Sequence, residues 1–251
     1  MTVDPRERVW TAIAAEHPEF THEHDPFDDY AMVDTLVLGD SIAWKPFAGA
    51  RVIDIGANAG VWTAHCALHG AKVAAYEPDP VTFDVLKGML HRTGLLHLVT
   101  PEQSAVWTYT GRVAFEGSGQ RGQSRNWACR NGAVQTLPRD LFTGNVATTI
   151  GLETVPCVAF DEAIGAAEWD CVKVDVEGGE FELLLTASDA ALRRIRFLQV
   201  EFHNGWASDE IYTALLDKLH ALFESSGAKN TEGEWTGRYH WANFKRSYEL
   251  V

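Results

Sequence analysis

A glycine-containing turn between a short apolar run and a helical stretch constrains the fold of this 251-residue chain more than any other feature. Residues 51–55 (RVIDI) lead directly into a turn with Gly56 and Gly60, and residues 61–68 then place apolar side chains at helical spacing. Glycine permits a tight turn and lets a ligand approach the backbone N–H groups at the start of a helix. The segment therefore predicts a strand, a ligand-binding turn and a helix, in that order.

The same alternation of apolar runs and helical stretches continues along the chain. Asp79 is the expected N-cap of the next helix, which should begin at Pro80 and stop at Gly94. Gly227 is the expected stop of the last helix. Alternation of this kind is typical of parallel strands joined by crossover helices. The expected fold class is therefore α/β, with a mostly parallel sheet and helices on both faces. Further strands are predicted at about 72–77, 96–99, 171–176 and 196–202, and further helices at about 80–93, 179–187 and 209–224.

The length of the chain suits a single α/β domain with one large core. We expect a ligand-binding domain over residues 49–251, preceded by a helical segment over residues 1–48 that packs on or caps the core. Residues 117–151 are expected to form a long loop insertion. Residues 105–116 predict a β-hairpin, and the tail at 235–250 predicts an antiparallel strand at the edge of the sheet.

The charge of the chain disfavours two classes of partner. Asp and Glu outnumber Lys and Arg by 35 to 21, which gives a net charge of −14. Such a chain is repelled by phosphate polymers and anionic bilayers, so we expect neither a nucleic acid nor a membrane as partner. The N-terminus is charged where a signal peptide is apolar, and the four cysteines form no CxxC pair. We therefore expect a cytoplasmic protein.

Glu77, at the end of the second predicted strand, makes the glycine turn specific for a nucleoside. An acid at that position can accept hydrogen bonds from both hydroxyls of a ribose. A dinucleotide fingerprint would need glycine at positions 58 and 61, where this chain has Asn58 and Val61. Asp54 beside the turn would repel phosphates but suits a ligand with an amine and a sulfonium. These residues therefore predict S-adenosylmethionine as the cofactor.

Three longer stretches carry a family resemblance: VIDIGANAGVWT at 52–63, VAAYEPDPVTFDVL at 73–86 and FDEAIGAAEWDCVKVDVEGGEFELL at 160–184. They resemble the FkbM-type methyltransferases, a branch of the class I S-adenosylmethionine-dependent enzymes. The resemblance covers about residues 50–204, and its KxDVEGxE element is specific. It implies a Rossmann-like, seven-stranded, mostly parallel sheet with an antiparallel edge strand. It also implies transfer of a methyl group to a hydroxyl oxygen of a sugar, a glycosylated metabolite or another natural product, with S-adenosylhomocysteine as the product.

The resemblance also implies positions for cofactor binding. These positions fall in three places. The glycine turn would surround the methionine part of the cofactor, the acid at the end of the second predicted strand would bind the ribose, and the loop after the third predicted strand would contact the adenine. Asp79 has an equal alternative as a helix N-cap. The candidates are Asp54, Gly56, Ala57, Asn58, Gly60, Glu77, Pro78, Asp79, Gln103, Ser104, Ala105 and Asp175.

The acceptor-side candidates lie at the ends of two predicted strands. Asp175 and Glu177 leave the first strand end on one face, because side chains alternate along a strand. Glu201 and His203 follow the next strand, and His203 is expected to accept the proton of an acceptor hydroxyl or to orient it. Lys173, inside a buried strand, is expected to pair with a neighbouring acid.

Metal binding is a weaker alternative for the same residues. Asp175, Glu201, His203 and Asn204 could ligate magnesium, and metal-assisted deprotonation of a hydroxyl is established chemistry. Methyl transfer depends mainly on holding donor and acceptor in line, and we expect no bound metal. Glu180 would lie in the first turn of the next helix, either complementing the helix dipole or taking part in the site.

Two other functions stay open on the sequence alone. A nicotinamide-dependent oxidoreductase could use a similar sheet, and a non-catalytic module could bind S-adenosylmethionine without transferring its methyl group. The expected partner is a small-molecule or glycan acceptor. Its identity and the position methylated stay open, and so does the oligomeric state, for which a homodimer is one candidate.

Overall fold

The computed structural model describes residues 44–116, 125–126, 153–203, 207–229 and 241–246. Nearly all of the predicted N-terminal segment and of the predicted insertion at 117–151 lies outside the described residues, as does Asn204. In the described part of the chain, no helix is both long and apolar enough to cross a membrane.

The secondary structure alternates as predicted over most of the chain. A 3-10 helix covers Leu95–His97. The described strands, in chain order, are β1 (Arg51–Ile55), β2 (Lys72–Tyr76), β3 (Val99–Glu102), β4 (Ala105–Trp107), β5 (Gly111–Glu116), β6 (Arg125–Asn126), β7 (Glu153–Ala159), β8 (Cys171–Val174), β9 (Phe197–Glu201), β10 (Glu224–Lys229) and β11 (Trp241–Lys245). The described helices are α1 (Val61–Leu68), α2 (Pro80–Thr93), α3 (Phe160–Ile164), α4 (Glu180–Thr186), α5 (Asp189–Leu192) and α6 (Asp209–His220).

The main sheet of the described residues has the strand order β10-β11-β9-β8-β1-β2-β3. The strands from β9 to β3 pair in parallel, whereas β11 runs antiparallel to both β9 and β10. This confirms the α/β class with a mostly parallel seven-stranded sheet. The sequence predicts the antiparallel strand at the edge, but β11 lies second from the edge. The edge is taken by β10, which pairs with β11 on the side away from β9.

Helices cover both faces of the main sheet, as predicted. On one face, α1 and α2 pack against β1 and β2 around Trp62 and Leu86. On the other face, α3 to α6 pack against β8 and β9 around Phe181 and Leu215. The site is therefore carried by strands that are buried from both sides.

Helix α2 shows why the local sequence signals work. Asp79 has an extended backbone, and its carboxylate accepts hydrogen bonds from the N–H groups of Val81 and Thr82. Pro80 occupies the first helical position, and Gly94 ends the helix with a φ of 71°. The predicted N-cap and stop of this helix are confirmed.

A second, smaller sheet has the order β4-β7-β5-β6 among the described residues. Strand β7 lies between β4 and β5, parallel to the first and antiparallel to the second. The predicted hairpin over residues 105–116 is therefore wrong, although both of its strands exist. The reason is packing: Val155 and Cys157 of β7 complete an apolar cluster with Trp107 and Val113.

Two predicted boundaries also shift. Helix α6 ends at His220, and Gly227 lies within β10 rather than stopping a helix. Residues 224–229 pair with β11, so sheet hydrogen bonds replace the helical ones there. Strand β3 begins at Val99, because the 3-10 helix takes up the first half of the predicted run at 96–99.

Candidate functional site

The carboxyl ends of the parallel strands open into a cleft with about 700 Å³ of empty space, counted out into the solvent at its mouth. It lies where the strand order reverses between β1 and β8, the usual ligand position in open α/β sheets. Its walls are the turn after β1, the end of β2, the loop into β4 and the segment after β8. The lining residues are Ile55, Gly56, Asn58, Tyr76, Glu77, Pro78, Thr82, Ser104, Ala105, Val106, Trp107, Phe115, Asp175, Val176 and Glu177.

The turn after β1 requires glycine at two positions. Gly56 has a φ of 81°, and a Cβ there would overlap the carbonyl oxygen of Asp175. Gly60 has a φ of 87°, and a Cβ there would overlap the side chain of Leu86 on α2. Only glycine combines this backbone conformation with such close contact. The turn is therefore wedged between the segment after β8 and helix α2.

Two main-chain N–H groups hold Glu77 in the cleft. Its Oε2 accepts from Asn58 at 2.9 Å, and its Oε1 accepts from Asp79 at 2.8 Å. Burial raises the pKa of Glu77 to about 7, although the two N–H groups lower it by favouring the charged form. A carboxylate has about four acceptor positions, so both oxygens can still accept hydrogen bonds from a ligand.

A buried ion network lies beneath the turn. Lys173 Nζ is 2.9 Å from Asp175 Oδ2 and 3.5 Å from Asp54 Oδ1, which confirms its predicted pairing. Burial lowers the pKa of Lys173, but the two acids outweigh burial and hold the pKa above its usual range. Burial raises the pKa of Asp175, but Lys173 reverses this and lowers it.

Asp54 supports the turn instead of lining the cleft. It is fully buried, and Thr63 donates a 2.6 Å hydrogen bond to its Oδ2. Burial raises the pKa of Asp54, which Lys173 and Thr63 partly oppose. The expectation that Asp54 touches the cofactor is therefore corrected: its charge acts from beneath the turn.

His203 lies between two acids at the other end of the cleft. Glu180, which is fully buried, accepts hydrogen bonds from the main-chain N–H of His203 at 2.6 Å and lies 3.2 Å from its Nδ1. The second oxygen of Glu180 accepts from Gly178 at 2.9 Å. His203 Nε2 is 3.4 Å from Glu177 Oε2. Burial lowers the pKa of His203, but Glu180 and the other acids nearby outweigh burial and raise it to about 10.

Asp175, Glu201 and His203 form a compact group. One ligand atom from each, a carboxylate oxygen or a ring nitrogen, lies within 4.8 Å of the others. Glu201 lies near enough to Asp175 to contribute, after Lys173 and His203, to lowering the pKa of Asp175. All three side chains are partly buried.

The structure brings together most of the residues predicted from the sequence. The cofactor candidates that line the cleft are Gly56, Asn58, Glu77, Pro78, Ser104, Ala105 and Asp175; those that do not are Asp54, Ala57, Gly60, Gln103 and Asp79. Among the acceptor-side candidates, Asp175 and Glu177 line the cleft. Glu201 and His203 lie beside it, in contact with these two acids.

Sequence reasoning missed the aromatic wall of the cleft. Trp107 and Phe115, from the second sheet, line it and are 4% and 5% exposed. Gly179 leaves space for the ring of Trp107, because a Cβ on Gly179 would lie 2.8 Å from Cζ3. The paired glycines at 178 and 179 signalled a close approach, but the pattern did not say to which residue.

Comparison with known proteins agrees with this architecture. A family model described as the methyltransferase FkbM domain matches residues 54–227. The AMB antimetabolite synthetase AmbE of Pseudomonas aeruginosa is 28% identical over 233 residues, which cover 82% of this chain and 11% of that protein. This chain thus spans about a tenth of the length of that synthetase.

Two solved structures are similar at low identity. A SAM-dependent O-methyltransferase from Thermotoga maritima is 11% identical with a TM-score of 0.43, over 84% of this chain and 64% of that chain. An rRNA methylase from Streptococcus thermophilus is 12% identical with a TM-score of 0.45, over 82% of this chain and 92% of that chain.

The parallel sheet, the glycine turn after β1 and the acid at the end of β2 are those of a class I methyltransferase that uses S-adenosylmethionine. The match over residues 54–227 shows that the chain belongs to the FkbM methyltransferase domain family. This assignment sets aside the alternative of a nicotinamide-dependent oxidoreductase.

Proposed function

We propose that the protein methylates a hydroxyl oxygen of a small polyhydroxylated acceptor, such as a sugar or a glycosylated natural product. The observation that carries this proposal is the acidic end of the cleft, where Asp175 and Glu177 form the wall and Glu201 and His203 lie beside them. A hydroxyl loses its proton when it is methylated, and a nearby carboxylate or imidazole speeds the reaction by taking that proton up. Carboxylates also accept charge-assisted hydrogen bonds from the other hydroxyls of such an acceptor.

The donor end of the cleft fits S-adenosylmethionine. Glu77 offers two oxygens to the ribose hydroxyls, and Gly56 and Asn58 border the path of the methionine part. Asp54 lies buried beneath the turn and shares Lys173 with Asp175, and two carboxylates beside one lysine favour a cationic ligand. Bound there, S-adenosylmethionine supplies a methyl group on a positively charged sulfur.

We assign the uptake of the proton to Glu177. Its side chain is 31% exposed and borders the cleft, whereas Asp175 is already paired with Lys173. Both ring nitrogens of His203 face carboxylates, Nδ1 towards Glu180 and Nε2 towards Glu177. His203 therefore serves as an orienting group in this proposal, one of the two roles that the sequence suggests.

The net charge of the chain and the name of one relative both support a small acceptor. The net charge of −14 disfavours a polyanion such as RNA or DNA. The relative AmbE carries the name of an antimetabolite synthetase, which fits an acceptor drawn from natural-product chemistry.

Two measurements test the proposal. Calorimetry with S-adenosylhomocysteine tests the donor end, and binding is expected. Transfer of a radiolabelled methyl group is then assayed on fractions of glycans, small metabolites, peptides, lipids and RNA. Label on a hydroxyl of a glycan or metabolite supports the proposal. Label on RNA, or on nitrogen, overturns the acceptor class. Donor binding without transfer to any fraction would indicate a non-catalytic module.

A variant pair tests the role of Glu177. Glu177→Gln keeps the size of the side chain but removes its basicity, so turnover is expected to fall by about 10²-fold or more while donor affinity changes little. Asp84→Asn, on the exposed side of α2, is the matched control and keeps full turnover. Full activity of Glu177→Gln would reassign the proton to another group.

A further inference from the structure

We propose that Asp175, Glu201 and His203 bind a divalent cation at the acceptor end of the cleft. The three side chains place two carboxylate oxygens and one imidazole nitrogen within 4.8 Å of one another. Atoms this close can share one cation, since protein ligands lie about 2.0–2.6 Å from Mg²⁺, Mn²⁺, Zn²⁺ or Ca²⁺.

The sheet sets the separation of the two carboxylates. Lys173 pairs with Gln199 and Val174 pairs with Val200 in the parallel ladder of β8 and β9. Continuing that register by one residue puts Asp175 opposite Glu201, with both side chains on one face. One carboxylate oxygen of each lies within 4.8 Å of the other, and two carboxylates this close favour a proton or a cation between them.

Glu180 presents the histidine as a ligand. It is fully buried and lies against Nδ1 of His203, whereas Nε2 lies 3.4 Å from Oε2 of Glu177, a residue that lines the cleft. Histidines that bind metals almost always donate their other ring N–H to a carboxylate or a carbonyl, which fixes the ring and strengthens it as a ligand. Glu180 therefore acts here as a positioning residue.

Among the described residues around the group, acidic side chains outnumber cationic ones. Four acids, Asp175, Glu177, Glu180 and Glu201, surround His203, and Lys173 divides its charge between Asp175 and Asp54. Partly buried carboxylates in excess are costly unless a positive charge is shared among them. The negative potential of these acids favours either a proton on the imidazole of His203 or a divalent cation bound to it. The two therefore compete for the same ring nitrogen.

An independent observation lies one step below the group. Gln199 leaves β9 on the same face as Glu201, between Lys173 of β8 and Asn243 of β11, and is fully buried. Neither atom of its amide has a hydrogen-bond partner among the described residues, and the same holds for Oδ1 of Asn243. A buried unsatisfied amide costs roughly 1–3 kcal/mol, so a polar partner is expected there. Water molecules in the coordination shell of a cation would supply that partner.

The ligand set favours a hard to borderline cation. Carboxylate oxygens suit Mg²⁺, Mn²⁺ and Ca²⁺, while one imidazole shifts the preference towards Mn²⁺ or Zn²⁺. This departs from the expectation of no metal. On the proposed function, the cation would hold the acceptor hydroxyl and lower its pKa, with Glu177 beside it to take the proton.

The test uses Mn²⁺ and the full chain, with no donor and no acceptor present. After removal of metals with a chelator, Mn²⁺ is added and the free ion is followed by electron paramagnetic resonance. We expect one Mn²⁺ per chain, displaced by excess Mg²⁺ or Zn²⁺. In Asp175→Asn and Glu201→Gln the affinity should fall at least tenfold, and Glu180→Gln should weaken it by about 10–100-fold. Asp84→Asn should bind as the wild type does.

A second measurement needs no variant. Bound Mn²⁺ should broaden the ring signals of His203 in the NMR spectrum of the wild type, while the signals of exposed His91 stay sharp. The proposal is overturned when no Mn²⁺ binds below about 1 mM, the weak end of protein cation sites. It is also overturned when both carboxylate variants bind normally, or when the His203 signals stay sharp.

The outcomes separate this proposal from the proposed function. Binding of S-adenosylhomocysteine without binding of Mn²⁺ removes the cation site alone. Binding of Mn²⁺ without methyl transfer to any hydroxyl keeps the site and removes the proposed acceptor chemistry.

Discussion

The two ends of the cleft hold their carboxylates by different means. At the donor end, main-chain N–H groups of Asn58 and Asp79 fix Glu77. At the acceptor end, charged side chains fix one another, as Lys173 does for Asp175. The fold of the turn fixes the positions of the main-chain donors, and main-chain N–H groups do not titrate. Lys173 holds Asp175 only while both side chains are charged. The donor end should therefore respond to changes of backbone shape, and the acceptor end to changes of single charges.

The largest effect is expected for the ion network beneath both ends. Lys173→Met keeps a long apolar side chain but leaves Asp54 fully buried without a cation, so the free energy of unfolding should fall by about 3–5 kcal/mol. Urea denaturation at neutral pH measures it. Lys72→Met, at an exposed position on β2, is the control. A loss below about 1 kcal/mol would show that charge does not hold the acceptor end.

The next effect probes backbone shape at the donor end. Gly56→Ala adds a methyl group that meets the carbonyl of Asp175 at a φ of 81°, so we expect a loss of about 2–3 kcal/mol in unfolding free energy and of most donor affinity. Gly94→Ala is the matched control, because Gly94 has a similar φ of 71° but open space around a Cβ. Equal losses in both variants would show that strain alone matters, and that the contact with Asp175 does not.

A smaller effect follows from the pKa of Glu77, about 7 in the fold against 4.5 for a free side chain. The raised pKa means that this group stabilises the fold below about pH 4.5, a contribution that is lost as the pH rises through about 7. Donor affinity should change the other way, because the ionised carboxylate is the stronger acceptor for the ribose hydroxyls. Affinity for S-adenosylhomocysteine should thus rise about tenfold from pH 6 to pH 8.

Calorimetry across this pH range measures that change. Glu77→Gln should bind the product more weakly and show a flat profile. A wild-type profile that is itself flat would mean that the charge of Glu77 does not contribute to binding.

The smallest effect separates the two roles considered for Asp79. Asp79→Ala should lower the free energy of unfolding by about 1 kcal/mol through loss of the N-cap, with donor affinity changed less than about twofold. Ser208→Ala, at the N-cap of α6, provides a matched loss of stability away from the glycine turn. A tenfold fall in affinity for Asp79→Ala alone would make Asp79 part of the donor site.

Local signals predicted what local interactions determine. The cap at Asp79, the proline after it and the stop at Gly94 could be read from the sequence because each acts within one helical turn. The glycine turn and Glu77 were found for the same reason: the turn needs a particular backbone, and the acid ends a recognisable strand. These features were enough for the fold class and for the donor end.

Local signals could not predict which strands and side chains from distant parts of the chain come together. The insertion of β7 between β4 and β5 depends on an apolar cluster whose members are about forty residues apart. Likewise, the burial of Asp54 and the contact of Glu180 with His203 depend on which side chains the sheet brings together. Charge alone could not separate an acid that lines a cleft from one that supports it.

The close contact between Gly56 and the main chain of Asp175 limits how this enzyme can change its acceptor. The main chain of the donor turn packs directly against the main chain after β8, and the space between them is too small for a methyl group. Enlarging the acceptor pocket by moving the end of β8 would therefore press into the donor turn. Room for a bulkier acceptor has to come from another wall of the cleft, such as the one that Trp107 and Phe115 of the second sheet form.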